Sequence, residues 1–174
     1  MRKILIAVDL QNDFIDAALG TKEAVAIVDK ACQVINSYDE KNIIATRDTH
    51  GQNYMETQEG KNLPVPHCIK GTEGWQINEK VQKALRGAKI IDKPSFGSVE
   101  LAEYIRDLAS KEEISVTLIG LCTDICVVSN AMLIKAFCPE IPVSVIASAC
   151  AGVTPQAHNA ALATMKSCQI KVLD

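Results

Sequence analysis

Short runs of aliphatic and β-branched residues punctuate the chain, and between them lie longer stretches whose apolar positions recur every three or four residues. The first pattern fits strands buried on both faces, and the second fits helices with one apolar side. Strands are expected near residues 3–8, 42–46, 89–92, 115–120, 142–147 and 169–173. Helices are expected near 22–37 (Val25, Val28, Cys32 and Ile35 on one face), 75–86 (Ile77, Val81, Leu85) and 98–109 (Leu101, Tyr104, Ile105, Leu108). Two more are expected near 124–137 and 155–166, the last opened by Thr154 as cap and Pro155 as first helical residue. This alternation predicts an α/β fold, with a six-stranded parallel sheet between two helical layers. Residues 47–74 break the rhythm with a loop rich in Gly, Asn, Thr and Pro, and loops that long in a compact domain usually serve function.

Composition narrows the picture. The 174 residues suit one domain, 1–174, able to bury a core without staples. Hydrophobic residues make up 48% and aromatics only 4%, so the core is expected to be Val, Ile, Leu and Ala. A net charge of -3 without any basic run argues against nucleic-acid and membrane-surface partners and leaves a small molecule as the expected one. Asp9 cuts the apolar run that begins at Ile4 too early for a signal peptide, and no transmembrane stretch follows. A cytoplasmic protein with its seven cysteines reduced is the expectation. No GxGxxG follows a strand, so dinucleotide binding is unsupported.

Ligands of open parallel sheets bind beyond the carboxyl ends of the strands. The first strand delivers Asp9, then Gln11, Asp13 and Phe14; the second delivers Arg47-Asp48-Thr49-His50; the third, Asp92-Lys93; and the fourth leads through Gly120 to Cys122 and Cys126. A single charge there can be a mere strand terminator, but four such ends at one rim favour a site. If Thr123 or Asp124 caps the next helix, Cys126 lies in its first turn, where unpaired N–H groups and the positive dipole end favour a thiolate. Cysteine is equally a common core residue, so a nucleophilic Cys126 depends on its neighbours. Asp9 can take the thiol proton and Lys93 can hold the charge, although a lysine at that position also reads as a surface strand end. Backbone N–H groups around Cys122 and Cys126 can receive an oxyanion. His50 stands two positions after Asp48, and His67 lies at the far end of the same loop with Glu59 between them. Such a set suits one divalent ion, Zn, Fe or Mn, while a solvated loop with scattered polar residues accounts for the same spacing. His158 has no expected role beyond packing or capping.

Five ordered segments resemble the isochorismatase-like cysteine hydrolases: Val8-Asp9-Leu10-Gln11-Asn12-Asp13-Phe14, Thr46-Arg47-Asp48-Thr49-His50, the stretch from Pro66-His67-Cys68 to Gly74, Lys93-Pro94-Ser95-Phe96, and Gly120 to Val127. Within them the D-x-H and H-C-x-x-G-T motifs are similar to the nicotinamidase (pyrazinamidase) branch. The resemblance implies a Rossmann-like three-layer fold and a catalytic triad of Asp9, Lys93 and Cys126. It also implies an oxyanion hole from the N–H groups of Cys122 and Cys126, with a cis peptide before Cys122. For the metal it implies Asp48, His50 and His67, with Glu59 as a fourth ligand, the ion binding a pyridine nitrogen. It further implies a small-molecule amide substrate and a homo-oligomer. Phe14, Leu63 and Phe96 are the expected substrate contacts. The chain departs from the branch in having Leu63 where an aromatic is common, Val65 between two prolines, and Phe96 near a common tyrosine. The activity implied is deamidation of nicotinamide through a thioester. The alternatives are another amide or carbamoyl hydrolase of the superfamily, vinyl-ether hydrolysis, and a catalytically silent α/β binding module.

Overall fold

Six strands form one all-parallel sheet in a computed structural model that describes residues 1–174. They are β1 (Arg2–Val8), β2 (Ile43–Asp48), β3 (Lys89–Lys93), β4 (Ile114–Leu121), β5 (Val143–Ala151) and β6 (Lys171–Leu173), in the spatial order β3-β2-β1-β4-β5-β6. Their connections carry α1 (Asn12–Ile15), α2 (Lys22–Asn36), α3 (Gln58–Asn62), α4 (Glu79–Leu85), α5 (Val99–Ala109), α6 (Val128–Phe137) and α7 (Pro155–Ser167). Right-handed crossovers decide which face each helix takes. The chain steps one way from β1 through β2 to β3, so α2 and α4 share a face and pack together. It then returns to β4 and continues outward, which places α5, α6 and α7 on the other face, with α6 against both neighbours. No helix is long and apolar enough to cross a membrane.

Strands β1 and β4 lie side by side at the centre and are covered on both faces, which is why Ile4 to Val8 and Val116 to Leu121 read as near-continuous apolar runs. The sheet reverses its winding between them, so the crevice beyond their ends is the switch point where such folds bind ligands. Asp9 follows β1 there, and the segment holding Cys122 and Cys126 follows β4.

Helix starts are set by side chains. Thr21, Ser98 and Thr154 hydroxyls accept from the N–H groups of Ala24, Leu101 and Ala157. Asn78 accepts from Lys80 N–H, so the helix expected at 75 begins at Glu79. Trp75 instead lies under the Arg47 guanidinium, 3.5 Å from its ring centroid, and donates to Thr49 Oγ1. The buried face of α2 is Ala24, Ile27, Val28, Ala31, Cys32 and Ile35, and Val25 points outward, because the apolar stripe begins one position earlier than expected. The long loop is not featureless: Tyr54–Glu56 forms a 3-10 turn, and α3 follows under a Thr57 cap. The helix expected at 124–137 begins with a π-helical turn at Thr123–Val127. The last strand starts at Lys171 because Gln169 takes a left-handed turn, φ 65°.

Gly120 sits directly beside Val8 of β1. Its φ of 118° is open to glycine, and a Cβ there would collide with the Val8 carbonyl. Gly71, at φ 89°, has open space around it. Gly120→Ala is therefore expected to destabilise the fold by about 3 kcal/mol or more, and Gly71→Ala by only about 1 kcal/mol. Urea unfolding of the two variants checks this, and equal losses would contradict it.

Candidate active site and metal centre

The ends of β1, β2 and β3 and the turn after β4 bring Asp9, Asp48, Lys93 and Cys126 into one buried cluster. Lys93 stands in the middle. Its Nζ lies 2.7 Å from Asp9 Oδ2, 3.3 Å from Asp48 Oδ1 and 3.4 Å from Cys126 Sγ, and donates to the Ser95 carbonyl at 2.9 Å. The side chains of Lys93 and Asp9 are both fully buried, so the surface reading of Lys93 is excluded. Thr46 donates to Asp9 Oδ1 at 2.6 Å, and Asp9 itself occupies a left-handed backbone position, φ 47°, just past the strand.

Burial raises the Asp9 pKa, although Lys93 opposes it. Burial would lower that of Lys93, but the surrounding Asp9, Cys126 and Asp48 outweigh it and raise it, so the ammonium persists. Burial and then Asp9 push the Cys126 thiol well up. Lys93 opposes this shift, and the helix-end contribution expected from a Thr123 or Asp124 cap is missing. Neither Thr123 nor Asp124 caps the helix: the Thr123 hydroxyl contacts His158 Nδ1 at 2.8 Å, and Asp124 accepts from Val153 N–H. Cys122 takes the N-cap position without a side-chain bond. Cys126 is thus held toward the thiol form, in a buried cluster with the Asp9 carboxylate and the Lys93 ammonium.

The peptide bond between Leu121 and Cys122 is cis. Ile125 and Val127 both donate to the Cys122 carbonyl, at 3.1 and 3.0 Å, and the intervening Cys126 N–H does not join them. Burial pushes the Cys122 thiol up to about 12, which leaves its backbone as the useful part.

Asp48 turns its second oxygen the other way. Oδ2 lies 2.9 Å from His50 Nε2 and 3.6 Å from His67 Nε2, and Glu59 Oε1 is 3.6 Å from both of those nitrogens. Asp48, His50 and His67 are buried with their ligand atoms within 4.8 Å of one another, so the loop's polar residues are not scattered in solvent. Two observations fit a divalent cation there. His50 Nε2 is buried without a hydrogen bond of good geometry, and Val65 O binds His67 Nδ1 at 2.8 Å, leaving its Nε2 as the free donor atom. Burial would lower the His50 pKa and raise that of Asp48, but their mutual contact prevails, and His50 is raised while Asp48 is lowered.

Phe14 is buried against the His67 ring, centroids 5.5 Å apart, whereas Leu63 and Phe96 are 38% and 44% exposed at the mouth. Three residues that hold this arrangement had no role from sequence. Gln11 clamps Asp48 through both its N–H (2.7 Å) and carbonyl (2.9 Å). Asp13 accepts from Cys68 N–H beside His67, and only a glycine at 74 leaves room for its carboxylate. Asn130 donates to the Cys126 carbonyl at 2.8 Å. Gln11 and Asp13 stand at the rim in sequence, but Asn130 lies mid-helix and carries no local signal.

The Isochorismatase domain model matches residues 3–174. The chain belongs to the isochorismatase family. Among solved structures it is similar to the pyrazinamidase of Pyrococcus horikoshii in complex with zinc, at 29% identity, with 100% of this chain and 99% of that one covered and a TM-score of 0.80. The nicotinamidase PncA of Bacillus subtilis is 26% identical over 100% of both chains, TM-score 0.81. An uncharacterized isochorismatase family protein PncA of Bacillus subtilis (strain 168) is 28% identical over 145 residues, 76% of this chain and 78% of that protein. This isochorismatase-family protein is a hydrolase by family and structural likeness, and its buried Asp48, His50 and His67 set points to a divalent metal.

Two outcomes are expected. The protein binds about one zinc per chain, and His67→Ala weakens that binding by at least about tenfold, read by competition titration; even outer-shell losses at such sites reach that size. Zinc affinity falls with acidification, because protons compete for the imidazoles. The onset lies above the ordinary histidine value of about 6.5, because Asp48 and Glu59 favour the protonated His50. An onset well below 6 would contradict this electrostatic reading.

Proposed function

We propose that the protein is a cysteine-nucleophile amidohydrolase that converts nicotinamide to nicotinate and ammonia. The observation that supports the reading is the single network from the Cys126 sulfur through Lys93 to Asp48 and the two histidines, a thiol one buried ion pair away from a cluster able to hold a divalent ion.

Asp9 takes the Cys126 proton, and the Lys93 ammonium holds the resulting thiolate, lowering the cost of forming it in a buried pocket. The thiolate attacks the carboxamide carbon, and the N–H groups of Cys122 and Cys126 receive the negative oxygen. The C–N bond breaks as Asp9 returns its proton, releasing ammonia and leaving a thioester on Cys126. Asp9 then deprotonates water, whose oxygen attacks the thioester; the C–S bond breaks as Asp9 returns that proton to the sulfur, and the acid departs and ionises in solvent. Asp48, His50, His67 and Glu59 would hold a divalent ion of the Zn, Fe or Mn class, which supplies a Lewis acid for the pyridine nitrogen. Phe14 packs against the ring and limits its tumbling. A different amide or carbamoyl hydrolase would share the thiol chemistry but has no use for the two buried histidines.

Ammonia release from nicotinamide tests this. Activity in the wild type, with kcat/KM reduced at least about a thousandfold in Cys126→Ala, is the expected result. Thorough chelation is expected to raise KM more than it lowers kcat, with zinc restoring both. Hydrolysis that survives the Cys126 change would remove the nucleophile, and no ammonia from nicotinamide would transfer the site to another amide.

A further inference from the structure

Two cavities meet at the mouth of the site. The inner one, about 50 Å³, is lined by Cys126, Asp48, His67 and Phe14, and the outer one, about 670 Å³, runs along Thr57, Gln58, Asn62 and Ser95. They share Glu59, Leu63, Phe96 and Ile125 as a common rim. We propose that the outer cavity is a subsite for an uncharged, apolar substituent on the ring of the substrate amide, held between Leu63 and Phe96. This rests on the amidase reading above.

The two rim side chains are exposed, yet the backbone beneath each is pinned by a buried polar group. Tyr54, 1% exposed, donates its hydroxyl to the Leu63 carbonyl at 2.9 Å, and Leu63 N–H donates to Glu59 O at 2.8 Å. On the opposite wall, Asn130 is fully buried and spends its amide on the strap after β3. Its Nδ2 donates to Phe96 O at 3.1 Å, and its Oδ1 accepts from Ser98 N–H at 2.9 Å. The same Nδ2 donates to Cys126 O, and Lys93 Nζ donates to Ser95 O, so this wall is held by groups that also hold the nucleophile. Apolar side chains presented to solvent on an immobilised backbone form a preorganised contact surface, which loses little entropy when a ligand covers it.

Chemistry selects the occupant. Away from the metal ligands His50 and Glu59, the outer cavity offers no lysine or arginine, so a phosphate or carboxylate on the ring finds no counter-charge there. Leu63, Phe96 and Ile125 favour alkyl or aryl groups. Geometry selects the position: a pyridine-3-carboxamide directs its carboxamide to Cys126 and its nitrogen to the Asp48 and His67 side. Ring carbon 5 is the edge remote from both, and so faces the mouth.

The test compares nicotinamide, 5-propylnicotinamide and nicotinamide bearing a carboxylate at carbon 5. Expected for the wild type is a KM for the propyl amide about tenfold below that of nicotinamide, and rejection of the carboxylate. In Leu63→Ser/Phe96→Ser the propyl advantage disappears. Calorimetric titration with nicotinate and 5-propylnicotinate reads the subsite without turnover and is expected to show the same tenfold preference. Hydrolysis of nicotinamide with the propyl amide rejected, or a propyl preference untouched by the double variant, overturns the subsite and leaves the amidase reading standing. No turnover of either amide, with the propyl acid still bound more tightly through Leu63 and Phe96, overturns the amidase reading and leaves the subsite standing. Equal binding of the two acids overturns the subsite.

Discussion

A lysine ammonium with no access to water governs the site. Removing such a charge from solvent costs several kcal/mol, and only close, well-placed counter-charges offset it. Lys93 has Asp9 at 2.7 Å, Asp48 at 3.3 Å and the Ser95 carbonyl at 2.9 Å, so three separate segments must converge on one atom. Because Asp48 meets Lys93 with one oxygen and the histidines with the other, the thiol site and the metal site are two ends of one charge network. Neither end can move without exposing an unpaired charge at the other.

The sheet supplies the convergence. Asp9, Asp48 and Lys93 are brought by three adjacent parallel strands, whose register places Asp48 beside Lys93 as direct partners. Strand β1 adds Asp9 next to β2, with Thr46 reaching across to its carboxylate. The close approach of β4 to β1 at Gly120 then sets where the turn bearing Cys126 begins. Packed strands have low compliance, which keeps the Asp9 and Asp48 carboxylates and the Cys126 sulfur within 3.4 Å of the Lys93 ammonium. The loop carrying His50 and His67 has no such framework of its own. Gln11 and Asp13 compensate by tying it to the end of β1 through buried hydrogen bonds.

Much of this was legible in the chain because the signals were local or periodic. Parallel strands buried on both faces leave continuous apolar runs; the first three end in charged residues and the fourth in a glycine turn, so Asp9, Asp48, Lys93 and the cysteines stood out without any knowledge of pairing. Boundaries were less legible where a tertiary contact overruled propensity. Ile77 has helical spacing with Val81 and Leu85, but cation–π stacking of Trp75 on Arg47 and a bridge between Gln11 and Ile77 hold both residues outside α4. Val25 looked like core because it is apolar at the right interval, and the one-residue rotation of α2 is set by its packing on the sheet.

The sequence by itself determined the fold class and the order of the strands' charged ends, because these depend on pattern and on residue chemistry, while the meeting of Asp48, His50 and His67 in one buried cluster was decided by the tertiary structure. The surroundings of the Cys126 sulfur were decided by tertiary structure alone. A helix end argues for a thiolate, but burial among Asp9 and Asp48 argues more strongly for a thiol, and burial is a property of everything packed around the sulfur. The same holds for Asn130, whose three hydrogen bonds join residues more than thirty positions away to its own helix turn. No local pattern can announce a role that exists only once α6 has docked beside the Lys93 strap.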